Sequence, residues 1–156
     1  VMGTRTGSID PGVLLYLKRE RGMDERALDE LLYHRSGLLG VSGISSDMRV
    51  LLASDDPHEQ FAIDLFCYRA VREIGSLAAA MGGIDALVFT AGIGEHAAAV
   101  RERIVAPLRW LGLACDAEAN ARHALHVGAP GSKPVFVITT DEERMIAQHT
   151  RGIIET

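Results

Sequence analysis

Arg5, in Gly3-Thr4-Arg5-Thr6-Gly7-Ser8, and the acidic run Asp141-Glu142-Glu143 put a permanent cation and a group of carboxylates at opposite ends of this chain. A guanidinium holds phosphate or carboxylate oxygens through two parallel hydrogen bonds and does not lose its charge. A carboxylate such as Glu142 can ligate magnesium, directly or through water, because such sites use only one or two protein carboxylates. Between these ends lies Phe89 to Arg103, reading FTAGIGEHAAAVRER. A strand-like run ends there in a turn with Gly92 and Gly94, and an alanine-rich helical pattern opens at Glu95. Small residues let a ligand approach the backbone, and unpaired helix amides point at it, so this arrangement suits a nucleotide. Each feature also has an ordinary reading. The glycine turn is common α/β punctuation, Arg5 could be a surface arginine, and the acids could simply favour a helix start.

The elements that must position these groups can be read along the chain. Pro11 opens a helix that Gly22 stops, and a second runs from Asp24 to about Arg35. SGLLGVSGISSDMR, residues 36 to 49, reads as a loop whose Leu38, Leu39, Val41 and Ile44 want burial, with a serine capping a short helix at Asp47-Met48-Arg49. Pro57 opens the longest helix, ending near Gly82-Gly83. Its apolar face is Ile63, Cys67, Ala70, Ile74, Leu77 and Met81. A helix after the glycine turn places Val100, Ile104, Leu108 and Leu111 on one face, and an alanine-rich helix begins near Asp116. Pro134 to Thr139 has the length and composition of a buried strand, and Asp141 to about Thr150 is helical. Strands of buried type alternating with helices favour a parallel sheet with helical cover.

With 156 residues, 47% hydrophobic and 24% charged, the chain is long enough for one domain with a sizeable core. A net charge of -5 argues against a nucleic-acid partner. No apolar run reaches the roughly 18 to 20 residues that span a bilayer. The opening VMGTRTGSIDPG is not a signal peptide and reads like the middle of a longer protein. Cys67 and Cys115 form no CxxC and read as reduced structural thiols of a cytoplasmic protein. His123 and His126 could share a helix face, and read as solvated surface.

Four blocks, MGTRTGSIDPG (2 to 12), SGLLGVSGISSDMR (36 to 49), DALVFTAGIGE (85 to 95) and VFVITTDEE (135 to 143), occur in an order and spacing that resembles the C-terminal part of the acetate kinase and propionate kinase family. The resemblance covers essentially the whole chain. It implies a ribonuclease-H-like α/β core of the acetate and sugar kinase, Hsc70 and actin superfamily. Residues 1 to 139 would form most of a C-terminal nucleotide-binding domain, and 140 to 156 a helix crossing back toward an N-terminal domain.

The implied reaction moves a phosphoryl group between ATP and acetate or propionate, giving an acyl phosphate and ADP, with Mg²⁺ as cofactor. By the same resemblance Arg5 is a catalytic arginine, and Glu142 is the metal-site glutamate. Asp47, Met48, Arg49, Gly92, Ile93, Gly94 and His96 contact the nucleotide. Asp47 also reads as a plain helix cap and Met48 as core. Two positions depart from the family pattern: His96 stands where an asparagine is usual, and Asp141 replaces the asparagine of TNEE. The family's N-terminal half supplies further phosphate-contacting residues, an arginine, a histidine and an aspartate. The resemblance therefore implies a homodimer that needs that half for activity. A non-catalytic nucleotide-binding or dimerisation module of the same fold is the alternative.

Overall fold

Aspartate starts most of the helices. Asp10, Asp24, Asp47, Asp56 and Asp116 each stand just before a helix and accept a hydrogen bond from a backbone amide of its first turn. Such caps satisfy donors that the helix itself leaves open. The computed structural model describes residues 1–154, with the side chain of Glu142 outside that description. In chain order the elements are α1 (Pro11–Glu20), α2 (Glu25–Asp29) running into a π-helical turn, α3 (Gly37–Ser42), α4 (Met48–Leu52) and α5 (Pro57–Met81). Next come β1 (Leu87–Phe89), α6 (Ala91–His96), α7 (Ala98–Val105) running into a 3-10 turn, α8 (Ala117–Ala121), β2 (Val135–Val137) and α9 (Glu142–Ile154). β1 and β2 pair in parallel, with Leu87 opposite Val135 and Phe89 opposite Val137. The result is a helix-rich α/β fold with a small parallel sheet.

α5 is the spine. It packs on α3, α4 and α7, burying Ala62, Ile63 and Cys67 against a core that includes Leu38, Leu51, Val100, Ile104 and Leu108. Burial pushes the Cys67 thiol up to about 11, so it is an unreactive core thiol. Cys115 is shifted in the same direction, first by burial. Among the described residues no helix is long and apolar enough to cross a membrane.

Three expectations about these elements are corrected. Residues 37 to 42 are a helix, α3, because the N-terminal segment satisfies its first amides: Leu38 donates to the Met2 carbonyl at 2.8 Å and Leu39 to that of Gly3 at 3.0 Å. The expected burial of Ile44 fails; it is 55% exposed in the bend after α3. Leu77 and Met81 are likewise exposed, at 54% and 65%. At 25 residues, α5 is roughly 37 Å long, and it outruns the short helices packed on it. The face expected from periodicity is buried only over its first half.

Candidate functional site

Segments far apart in the chain meet across a cleft of about 380 Å³. Ser46, Asp47, Met48, Arg49 and Leu52 line one side, and Gly92, Ile93, His96 and Ala97 the other. Six of the seven residues expected to contact a nucleotide are therefore in one concavity: Asp47, Met48, Arg49, Gly92, Ile93 and His96.

The first wall is pinned by short side chains. Ser42 Oγ accepts from the Ile44 and Ser45 amides, and Ser45 Oγ from the Asp47 amide at 3.0 Å. This brings Asp47 to the cap of α4, where its carboxylate accepts from the Arg49 amide at 2.9 Å. The same carboxylate pairs with the Arg49 guanidinium at 2.6 Å. That side-chain hydrogen bond is the main reason the Asp47 carboxyl falls to about 2. The cap reading of Asp47 and the core reading of Met48, which is 3% exposed, both describe real contacts, and both residues still line the cleft.

The second wall differs from the sequence expectation. The chain turns at Ala91, whose φ is 58°, and Gly92 and Gly94 lie inside α6 rather than in a loop before it. The helix thus opens at Ala91, not at Glu95, because the strained position is taken by alanine and leaves the glycines helical. At Gly92 an added Cβ would meet nothing within 4 Å, whereas at Gly94 it would sit 3.3 Å from the Phe89 carbonyl carbon. Gly94 therefore serves close packing of α6 on β1 and does not line the cleft.

Behind α6 lies Arg101, 0% exposed, with no carboxylate among its hydrogen-bond partners in the described residues. Its Nε donates to Asn120 Oδ1 at 2.7 Å, and Nη1 to the carbonyls of Gly94 and Glu95 at 2.8 and 2.9 Å. Nη2 donates to the Asn120 carbonyl at 2.8 Å and contacts His123 Nδ1 at 3.1 Å. These contacts engage all three guanidinium nitrogens. The carbonyl ends of α6 and α8 offset the buried charge, as negative helix ends can, although desolvation still lowers the Arg101 pKa. His123 and His126 share no helix face. His123 follows α8 in a left-handed conformation, φ 53°, and His126 sits edge-on to the Phe136 ring.

A second, more polar recess of about 450 Å³ adjoins the cleft through Gly92 and His96, and is also lined by Glu95, Thr140, Asp141 and Glu143. Glu95 is 8% exposed. Its Oε1 accepts from the Thr140 amide at 3.0 Å and from the Thr140 hydroxyl at 3.2 Å. The amide bond is the leading reason that its carboxyl lies below the ordinary range, and neighbouring His96 adds to it. Asp141 and Glu143 are exposed around this recess. The described residues hold no cluster of three or more His, Cys, Asp or Glu that could enclose a metal ion. Oxygen donors at the rim suit a magnesium ion bound largely by phosphate and water rather than a cation held by a protein cage.

Glu142 starts α9 beside this recess, and its side chain lies outside the described residues. Arg5 is exposed and is not part of the cleft lining. Its loop is fixed to the body by the Ser36 amide on the Thr4 carbonyl at 2.8 Å and the Thr6 amide on the Leu32 carbonyl at 3.0 Å. A Cβ added at Gly3, two residues before it, would sit 3.6 Å from the Ser46 Cβ of the cleft wall. Sequence reasoning did not pick out Glu95, Thr140, Arg101 or Asn120 as working residues. A buried-type arginine on an otherwise apolar helix face, beside Val100 and Ile104, is the one signal that could have flagged Arg101.

Residues 1–148 match the acetokinase family. The chain belongs to that family. It is similar to an acetate kinase of Rhodopseudomonas palustris (strain TIE-1), 59% identical over 152 residues, which are 96% of this chain and 38% of that protein. An acetate kinase of Nitrobacter hamburgensis is 52% identical over 154 residues, again covering 38% of its length. Among solved structures, a propionate kinase from Francisella tularensis matches with TM-score 0.88 and 38% identity over 95% of this chain and 39% of that one. The Porphyromonas gingivalis acetate kinase matches with TM-score 0.88 and 39% identity, over 98% and 40%. This acetokinase chain spans about 38% of the length of the curated relatives it matches.

Proposed function

We propose that this chain forms the nucleotide-binding wall of a short-chain carboxylate kinase, which moves a phosphoryl group between ATP and acetate or propionate. The observation that carries the reading is the cleft in which segments 46–49 and 92–97 meet. Adenosine occupies that cleft. Asp47 or the Arg49 guanidinium meets its polar edges, Met48 and Ile93 its flat faces, and Gly92 leaves room for the ribose. His96 offers one donor or one acceptor per ring nitrogen where an amide would offer both. The phosphates then extend toward the recess beside Thr140 and Asp141.

In the forward direction a carboxylate oxygen of the acid attacks the γ-phosphorus. The bond to the bridging oxygen breaks, and ADP leaves with the electron pair. Catalysis of this transfer is mostly positioning and charge neutralisation. Arg5 is the cation on the transferring phosphoryl. Glu142, with Asp141 and Glu143 beside it, would hold Mg²⁺, and the ion when bound neutralises phosphate charge. One arginine and one short acidic run cannot surround a phosphoryl group, so the remaining contacts come from an N-terminal half. α9, whose described side chains are all exposed, suits a helix crossing toward such a lobe, with residues 1 to 139 as the nucleotide-binding domain proper. The exposed Phe61, Tyr68, Leu77 and Met81 of α5 suit pairing into a homodimer. Free Cys67 and Cys115 fit a cytoplasmic protein.

Titration of the chain with Mg-ADP tests the cleft, and absence of saturable binding removes the reading. In an assembly that contains the N-terminal half, Arg5→Ala should lower kcat by about a hundredfold or more while ADP affinity stays within about twofold. A wild-type rate would take Arg5 out of the chemistry.

A further inference from the structure

Glu95 is the penultimate residue of a six-residue helix, yet it is nearly buried and its carboxylate reaches a segment far along the chain. We propose that Glu95 is a positioning residue: it ties the acidic segment Asp141–Glu143 to the nucleotide cleft, so that the base-side and phosphate-side walls move as one body. The proposal rests on the nucleotide and magnesium reading above and adds to it a residue outside the adenosine contacts.

The connection can be followed atom by atom. Arg101 Nη1 grips the carbonyls of Gly94 and Glu95 from within the core, which fixes the main chain at the end of α6. From that fixed point the Glu95 side chain reaches Thr140, 45 residues further along the chain, and accepts from both its amide and its hydroxyl. Asp141 follows directly, and its Oδ1 accepts from the Arg144 amide at 2.9 Å to start α9. The described side chains of α9 are exposed. The placement of the 141–143 segment therefore depends on what holds residues 138 to 140. The Ile138 amide on the Phe89 carbonyl, at 2.9 Å, is one tie, and the Glu95 carboxylate is the next.

An ionised carboxylate is the group this task needs. It accepts two hydrogen bonds at one oxygen and offers no donor to compete, and charge-assisted bonds of this kind are the stronger class. Glutamine keeps the length but loses the charge, and alanine removes the tie. Thr140→Val removes the hydroxyl and leaves the amide, so it should show a partial effect.

The test uses the whole chain and two readouts. ADP binding is measured by titration calorimetry with and without Mg²⁺ for wild type, Glu95→Gln, Glu95→Ala and Thr140→Val. Amide hydrogen exchange is followed across residues 138 to 146 in the absence of ligand. In Glu95→Ala the gain in ADP affinity conferred by Mg²⁺ should fall about tenfold, the scale on which supporting partners of metal ligands act. Affinity for ADP alone should stay within about twofold, because Arg101 still holds α6. Exchange in the 138 to 146 segment should quicken in the order wild type, Thr140→Val, Glu95→Gln, Glu95→Ala. Equal loss of affinity with and without Mg²⁺, or exchange in Glu95→Ala matching wild type, overturns the proposal. Wild-type chain that binds no ADP refutes the nucleotide reading and the functional claim together. Wild-type binding with unaltered exchange in the variants refutes the Glu95 tie alone.

Discussion

Two arginines flank the proposed nucleotide cleft, and they are held in opposite ways. The Arg49 side chain is 88% exposed and pairs with a carboxylate two residues away. Arg101 is 0% exposed, and its hydrogen bonds go to backbone carbonyls and one amide oxygen. An exposed pair of this kind contributes little to stability and is easily rearranged. A charge buried with all three of its nitrogens hydrogen-bonded costs several kcal/mol to disrupt, because the partners are left unsatisfied in the core. The two walls are therefore built for different purposes. The Asp47–Arg49 side can change partners when a ligand arrives, while the α6 side is framework.

Replacing Arg101 is the strongest way to break this contrast. Arg101→Leu should lower the unfolding free energy by about 3 kcal/mol or more, since it strands the Gly94, Glu95 and Asn120 carbonyls. Arg101→Lys should recover only part of that loss, having three donors instead of five in a plane. Denaturant unfolding measures both, and a wild-type midpoint for Arg101→Leu would mean that the guanidinium is not framework.

Gly37→Ala comes next. Gly37 has φ +63°, and an added Cβ would collide with the carbonyls of Met2, Gly3 and Arg5. The change should cost about 1 to 3 kcal/mol and should loosen the loop that carries Arg5. The same unfolding assay reads it, and proteolysis near residue 5 should quicken.

The smallest stability effects belong to the exposed pair. Arg49→Ala should leave the melting temperature close to wild type while weakening ADP binding. Asp47→Asn sharpens the comparison through pH. The folded Asp47 carboxyl is depressed from 3.8 to about 2, so its ionised form is the stabilising one. Its contribution is fully present above about pH 4 and is lost as the pH falls toward 2. The difference in melting temperature between wild type and Asp47→Asn should be constant at neutral pH and vanish at strongly acid pH. A difference that grew on acidification would contradict the Asp47–Arg49 pairing.

Much of the fold was legible because its signals are local. Pro11, Asp24 and Pro57 mark helix starts that the structure reproduces, Gly82 ends α5 with φ 76°, and the two apolar runs form the parallel strands. Two errors had a shared cause. Residues 37 to 42 looked like a loop, and Gly92 with Gly94 looked like a turn, because glycine is read as a breaker. In α3 the carbonyls of residues 2 to 4 fill the roles a cap would play. In α6 the flexibility went unused, since Ala91 takes the left-handed conformation and Gly94 is needed for its lack of a side chain.

The amino-acid sequence by itself determined the helix starts, the strand pair and the four blocks that mark the acetokinase family. These rest on interactions within a turn or on residue identity in order. Tertiary structure alone decided that segments 46–49 and 92–97 share a cleft, that Arg101 is buried against backbone carbonyls, and that Glu95 reaches Thr140. The Arg101–Asn120 and Glu95–Thr140 bonds join residues 19 and 45 positions apart in the chain. Their geometry is set by how helices stack on α5 and the sheet, a packing outcome that no local pattern encodes.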